Sequence, residues 1–291
     1  MTGMPAAQKY DLRHTDVRDV LDQVERILDL RLDPETMVRK RRTIGAASGT
    51  GTWVRIELRG VERMAGPVTG QGWGVEAALA ITGVPRPHWF RGASWCGEPL
   101  RPNTVWRVDE IEYITDGQPL RADHGQFPAA ETLPGAWWDA LSKSLATLAA
   151  TDTSRLATPD TQPVTAARIE SEIREVFPEV GDLRTASWEW TTAHADLGWA
   201  NLFGPRLWIT DWEDWGRAPR GLDAANLWAN SLGYPLLAAQ VADHFEADLS
   251  SLTGQIMALW RTAQIASWGD TFASACGPAK VEAARIAREI A

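Results

Sequence analysis

From Thr15 onward the apolar positions Val17, Val20, Leu21, Val24, Ile27 and Leu28 recur at i, i+3, i+4 and i+7, which predicts an amphipathic helix with Thr15 as its N-cap. The pattern changes after residue 38. A basic stretch, Arg39 to Arg42, leads into the glycine-rich run Ile44 to Gly51, and Trp53 to Leu58 then alternates with period two, so two strands joined by a glycine-rich turn are expected. Gly60 can turn the chain once more into a short strand, Val61 to Ala65. The segment Gly74 to Ile81 reads as a helix stopped by Gly83 and Pro85, followed by strands over Trp89 to Trp95 and Thr104 to Ile114 and a turn over Thr115 to Pro119. Helical spacing then takes over, at Trp137 to Ala150, at Thr165 to Phe177 and from Asp223 to the C-terminus, ending with Lys280 to Ile290. The fold class is α+β: a small, mostly antiparallel sheet region over residues 1–115 joined to a mostly helical region over 116–291.

Composition narrows the partners. The 291 residues carry 38 acidic against 29 basic side chains, a formal charge of −9, with no Lys/Arg cluster large enough to attract a polyphosphate backbone, so nucleic acid is excluded as a partner. An acidic surface suits a cationic small molecule instead. Cys96 and Cys276 form no CxxC pair and no disulfide framework, the N-terminus lacks a signal-peptide pattern, and no run of eighteen apolar residues occurs. Those features place the chain in the cytoplasm and away from membranes. Sixteen Trp, seven of them between Trp188 and Trp228, read as packing residues rather than a stacking wall. His88, His124 and His244 have no mutual spacing that suggests a metal site and read as structural.

The chemistry concentrates between Thr191 and Glu213. His194, Asp196 and Asn201 stand in one loop, and Asp211 closes an apolar strand, Leu207 to Thr210, that follows the Gly204-Pro205 turn. A loop carboxylate, a loop amide and a strand-end carboxylate suit phosphoryl transfer, because Mg²⁺ takes hard oxygen ligands and the incoming hydroxyl needs a carboxylate to accept its proton.

Here the sequence resembles the aminoglycoside phosphotransferase family, small-molecule relatives of the protein kinases, whose loop H-x-D-x-x-x-x-N precedes an apolar strand ending in I-D-W-x. His194, Asp196, Asn201 and Asp211-Trp212-Glu213 match residue by residue, except that Thr210 stands in place of the Ile. The resemblance implies a two-lobe protein-kinase-like fold, with Asp196 as catalytic base, His194 bracing the loop, and Asn201 and Asp211 binding Mg²⁺. It further implies a hinge at Glu112, Tyr113 and Ile114 that meets the base of ATP or GTP, a nucleotide-covering loop at Gly45 to Gly51, a lobe-helix carboxylate at Glu76, and a loop-supporting Asp223. The family's strand lysine is missing: Lys9, Lys40, Lys143 and Lys280 are the only lysines. Arg63, on one strand face with Val61, is the first candidate to replace it and Arg55 the second. The implied activity is transfer of a γ-phosphoryl group to a hydroxyl of a small-molecule acceptor, and Glu213 and Asp214 at the entrance would attract a cationic one. The missing lysine also admits an alternative, a pseudokinase that binds nucleotide without turnover and serves a partner protein.

Overall fold

The computed structural model describes residues 11–64, 70–97, 103–121, 133–159, 162–267 and 273–290. Its first helix, α1 (Arg18–Leu28), buries Val20, Val24 and Leu28. It starts later than the spacing predicts: Val17 is the N-cap, without a side-chain bond, and the Thr15 hydroxyl instead donates to the Asp11 carbonyl at 2.8 Å.

Five antiparallel strands follow, β1 (Val38–Arg39), β2 (Thr43–Ala47), β3 (Thr52–Gly60), β4 (Trp89–Cys96) and β5 (Thr104–Glu112), in the spatial order β1-β2-β3-β5-β4. Alternation along β3 decides what the sheet does. Val54, Ile56 and Leu58 pack with Ile44, Trp106, Val108 and the apolar stripe of α1 in one core. The intervening residues Trp53, Arg55, Glu57 and Arg59 therefore share the opposite face. On β5, Asp109 stands across from Arg55 and Arg107 from Glu57, which places opposite charges side by side.

After β3 the chain enters a 3₁₀ turn, Val61–Met64, not the expected short strand; Ala65 lies outside the described residues. The expected helix Gly74 to Ile81 is one α-helical turn, α2 (Gly74–Ala77), continued by a 3₁₀ turn, Ala78–Ala80. Gly74 is required by contact: a Cβ there would lie 2.2 Å from the Glu213 carbonyl oxygen. The Trp215 indole also donates to the Gly74 carbonyl at 2.9 Å, so α2 sits directly on the segment that follows Asp211.

The remainder is mostly helical: α3 (Gly135–Ala149), α4 (Ala166–Val176), α5 (Leu222–Ser231), α6 (Pro235–His244), α7 (Glu246–Leu249), α8 (Leu252–Ser267) and α9 (Ala273–Ile290). Thr165 caps α4, accepting from the Arg168 amide. Short strand pairs link these helices to the sheet side. β6 (Gly117–Pro119) pairs with β8 (Phe203–Pro205), and β7 (Trp190–Ala193) pairs with β9 (Gly216–Pro219). One core gathers Trp137, Trp138, Trp199, Trp212 and Trp215 around the loop that carries Asp196, and rings of Trp137, Trp138 and Trp199 pack edge-on and stacked. His244 stacks flat on Trp138 at 4.7 Å. His124 lies outside the described residues. Among the described residues no helix is long and apolar enough to cross a membrane.

Candidate active site

β7 delivers the chain to His194-Ala195-Asp196. Ala195 has φ 71°, a left-handed conformation that costs an L-residue about 1–2 kcal/mol. What holds it there is buried on α5. The Asp223 carboxylate accepts the His194 amide at 2.7 Å and the Ala195 amide at 2.8 Å, and the Asn226 side chain donates to the Ala195 carbonyl at 2.8 Å. Three residues apart on a helix, Asp223 and Asn226 point to the same side and clamp one peptide unit from both ends. Burial raises the Asp223 carboxyl above the usual carboxylate range, against the pull of His194 and the two amides.

His194 is fully buried, edge-on to Trp212 at 4.8 Å. Burial lowers its pKa, so the ring is neutral near pH 7. Its Nε2 faces the Thr210 carbonyl at 2.9 Å, and because a carbonyl only accepts, Nε2 carries the proton. The ring thus ties the end of β7 to the residue before Asp211.

Asp196 is exposed at the lip of the loop. Asn201, in the 3₁₀ turn Trp199–Asn201, donates from Nδ2 to the Asp196 carbonyl at 2.9 Å, which commits the amide nitrogen and leaves its oxygen as the ligand end. The expected strand Leu207 to Thr210 is reduced to a bridge between Leu202 and Ile209 and a Thr210 amide bond to the Asn201 carbonyl at 2.9 Å. That bond seats Asn201 beside Asp211. Asp211 has φ 65° as well, and burial followed by its neighbour Glu213 raises its carboxyl, opposed by Arg55. An amide oxygen and one carboxylate fit a Mg²⁺ ion that takes its remaining ligands from phosphates and water. No group of three or more His, Cys, Asp or Glu fit to hold a metal occurs among the described residues.

A cleft of about 790 Å³ lies between sheet and helices, with Glu112, Tyr113 and Ile114 at one end and Asn201 and Asp211 at the other. Trp53 stacks with Tyr113 at 5.4 Å and forms a flat wall. Gly45 makes that wall possible, since a Cβ there would meet the Trp53 ring at 2.4 Å. Of the run Gly45 to Gly51, expected to cover a nucleotide, Gly45 lines the cleft from β2, whereas Gly49 donates to the Arg31 carbonyl at 2.8 Å and Ser48 bridges Leu32.

The β3 cation that lines the cleft is Arg55. Its guanidinium contacts Asp211 at 3.2 Å, Glu213 at 2.5 Å and Glu57 at 2.9 Å. Arg59, almost wholly buried, bonds Glu57 at 2.5 Å and also Glu213. Two arginines and two carboxylates thus neutralise one another beside Asp211. Burial pushes the Glu57 carboxyl up to about 7, with Glu213 adding to it. Burial acts on Glu213 the same way, but Arg55 and Arg59 outweigh it and hold Glu213 at about 2. Arg63, the first sequence candidate, is in the 3₁₀ turn after β3 and does not line the cleft, because β3 ends at Gly60 and the face it was expected to share with Val61 does not exist. Glu76 contacts Arg107 at 3.1 Å, not a β3 cation, while Arg107 also binds Asp109 at 2.5 Å. Glu213 and Asp214 do not border an entrance: Glu213 is spent on the two arginines, and Asp214 is buried and takes the Thr158 hydroxyl at 3.3 Å.

Sequence reasoning missed Glu57, Arg59, Arg107 and the role of Glu213. The signal available was the period-two series Trp53, Arg55, Glu57, Arg59, a charged face that favoured Arg55 over Arg63.

No family model matches the chain, and no curated protein matches it in sequence. Solved structures do. An amicoumacin kinase in complex with AMP-PNP, Ca²⁺ and Ami superposes with TM-score 0.57 at 13% identity, covering 95% of this chain and 93% of that one. A thermostable mutant of aminoglycoside phosphotransferase APH(4)-Ia, in ternary complex with ADP and hygromycin B, gives 0.56 at 13% identity, covering 93% and 98%. A choline/ethanolamine kinase family protein from Mesorhizobium loti gives 0.54 at 17% identity, covering 90% and 92%. The chain therefore has the two-lobe, protein-kinase-like fold that these small-molecule kinases share, over nearly its whole length.

Proposed function

We propose that the protein is a Mg²⁺-dependent phosphotransferase that moves the γ-phosphoryl group of ATP or GTP to a hydroxyl of a small molecule. The observation that carries this reading is the pair Asn201 and Asp211 lining the cleft, with Asn201 bonded to the Asp196 carbonyl and the loop held at Ala195 by Asp223 and Asn226. In this reading Asp196, exposed and bonded to cleft-lining Asn201, accepts the proton of the incoming hydroxyl. Asn201 and Asp211 would hold the Mg²⁺, which when bound neutralises phosphate charge. Glu112, Tyr113 and Ile114, with the Trp53 wall, receive the base. Arg55, in contact with Asp211, supplies the cation that the missing strand lysine would have supplied. Buried His194 and Asp223 touch neither substrate nor metal; they position the loop.

Similarity to kinases of amicoumacin, aminoglycosides and choline supports a small-molecule acceptor, and the net charge of −9 makes cationic alcohols the first to screen. The two unpaired cysteines and a nucleoside triphosphate co-substrate fit the cytoplasm. The test is nucleoside diphosphate release with a panel of hydroxylated acceptors. Asp196→Asn should lower turnover by about a hundredfold or more while nucleotide affinity changes little. Wild-type-like turnover by Asp196→Asn would remove Asp196 as the base, and a folded wild type that binds neither ATP nor GTP in calorimetry would remove the reading altogether.

A further inference from the structure

Arg86 lies in the segment that leads into β4 and lines the cleft together with Pro87, Ile111, Glu112 and Tyr113. Its guanidinium meets only backbone carbonyls: Nε and Nη2 donate to Ile81 at 3.4 and 3.2 Å, and Nη1 donates to Pro87 at 3.3 Å. Those bonds leave one N–H on each Nη without an acceptor among the described residues. Arg55, Arg59 and Arg107 all have carboxylate partners, whereas burial lowers the pKa of half-buried Arg86 and no neighbouring carboxylate opposes it. A cation partly stripped of water is thus held at the cleft with no anion to offset the loss. An anion stands nearby without touching it. His88, two residues further on, donates its amide to Glu112 Oε2 at 3.1 Å, and the Glu112 amide donates back to the His88 carbonyl at 2.7 Å. That exchange fixes the Glu112 side chain and leaves Oε1 without a donor among the described residues. One end of the cleft therefore offers a pair of cationic N–H donors and a carboxylate acceptor, beside the flat wall of Trp53 and Tyr113.

We propose that Arg86 makes this a guanine site: its two uncommitted N–H groups take O6 and N7 of the base while Glu112 accepts from N1 and N2, so that GTP rather than ATP is the phosphoryl donor. The proposal rests on the phosphotransferase reading and adds to it which base the site selects. Guanine carries two acceptors, O6 and N7, along one edge, which is the pattern a guanidinium fork matches, and donors at N1 and N2 along the next. Adenine has a donor, the N6 amino group, in place of O6, and an acceptor at N1. It would set donor against guanidinium and lone pair against carboxylate, leaving both charges unpaired.

The experiment is calorimetric titration of GDP, ADP and 7-deaza-GDP, each with Mg²⁺, into wild type and into Arg86→Met, which keeps the apolar stem and removes the fork. A bidentate guanidinium contact to O6 and N7 separates the right base from the wrong one by roughly tenfold to a hundredfold. Wild type should therefore bind GDP about tenfold or more tighter than ADP. It should bind 7-deaza-GDP, in which a C–H replaces the N7 acceptor, about tenfold more weakly than GDP, the worth of one charge-assisted hydrogen bond. Arg86→Met should bring GDP to within about threefold of ADP, by weakening GDP and not by strengthening ADP. Melting curves check that the variant is folded; Arg86→Lys, which keeps a cationic donor without the fork, takes its place if it is not, and the 7-deaza comparison needs no variant at all. Wild type that binds ADP as tightly as GDP, or that ignores the loss of N7, would overturn the proposal and leave the nucleotide reading standing. So would a folded variant that keeps the guanine preference, or one that loses ADP and GDP alike, since Arg86 would then only support the cleft wall. Failure of wild type to bind either diphosphate would instead sink the reading on which the proposal rests.

Discussion

Asp223 should matter because of Ala195. Replacing Asp223 with alanine leaves the His194 and Ala195 amides, both in buried residues, without acceptors, and each orphaned amide costs about 1–3 kcal/mol. The left-handed φ of 71° at Ala195 already costs about 1–2 kcal/mol in the wild type, and a loop freed of the carboxylate can relax to recover it. Asp223→Ala should thus destabilise the fold by about 2–6 kcal/mol if the loop keeps its shape, and by about 1–2 kcal/mol less if the loop relaxes, with activity lost in that case. The coupled variant separates these contributions. Ala195→Gly alone removes the Cβ penalty but adds unfolded-chain entropy, for a net change within about 1 kcal/mol. If Asp223 holds Ala195 in a strained conformation, glycine has no such strain to release, so Asp223→Ala in the Ala195→Gly background should cost about 1 kcal/mol more than in wild type. Urea unfolding of the four proteins measures the coupling, and nucleoside diphosphate release gives the matching loss of kcat. Additive effects, with the same cost in both backgrounds, would refute the idea that the carboxylate enforces the left-handed peptide.

Three more outcomes follow from the ion pairs. Glu57, at about 7 against an ordinary 4.5, keeps a proton in the folded state that the unfolded chain has lost. Its contribution to stability therefore declines as pH rises from 4.5 to about 7 and is constant above, by up to roughly 3 kcal/mol. Urea midpoints from pH 5 to 8 should show that decline as the difference between wild type and Glu57→Gln; parallel profiles would sink it. Glu213, held at about 2, adds nothing to the difference in this window, since its contribution is lost only as pH falls below 4.5. Glu76→Ala should leave nucleotide affinity within about threefold, because an ion pair to a half-exposed carboxylate is worth about 1 kcal/mol at most. Arg55→Ala, by contrast, leaves Glu57 and Glu213 to share Arg59 and takes the arginine from Asp211, and should cost about 3–5 kcal/mol of stability, read by urea unfolding.

How much of this was legible depended on sequence separation. The loop His194 to Asn201 and its sequel Asp211 were readable because their spacing is local, and the sheet because period two runs through β3. The start of α1 was misplaced by a Thr that bonds backward to Asp11, a choice that spacing does not encode. The glycines of Ser48 to Gly51 signalled a turn correctly and its role incorrectly, since turn chemistry says nothing about which end of a hairpin faces the cleft. Arg55, Arg107 and Glu213 reach their partners across up to 158 residues of chain, and Arg63 lost its place once β3 ended at Gly60. Pairings of that range are decided by packing, where Gly74 against Glu213 sets how close the two halves come.

That contact makes the cleft asymmetric in how it can open. On the α2 side Gly74 touches the Glu213 backbone, Trp215 holds the Gly74 carbonyl, and the buried Arg155 guanidinium joins the carbonyls of Gly70, Glu213 and Trp215 at 3.1, 2.6 and 2.7 Å. On the other side β1 is an edge strand, two residues long, hydrogen-bonded to β2 alone within the sheet. A jaw riveted at one corner yields at the opposite one, so amide hydrogen exchange should be faster along β1 and β2 than in α2 and the Asp211 segment, which should be protected together.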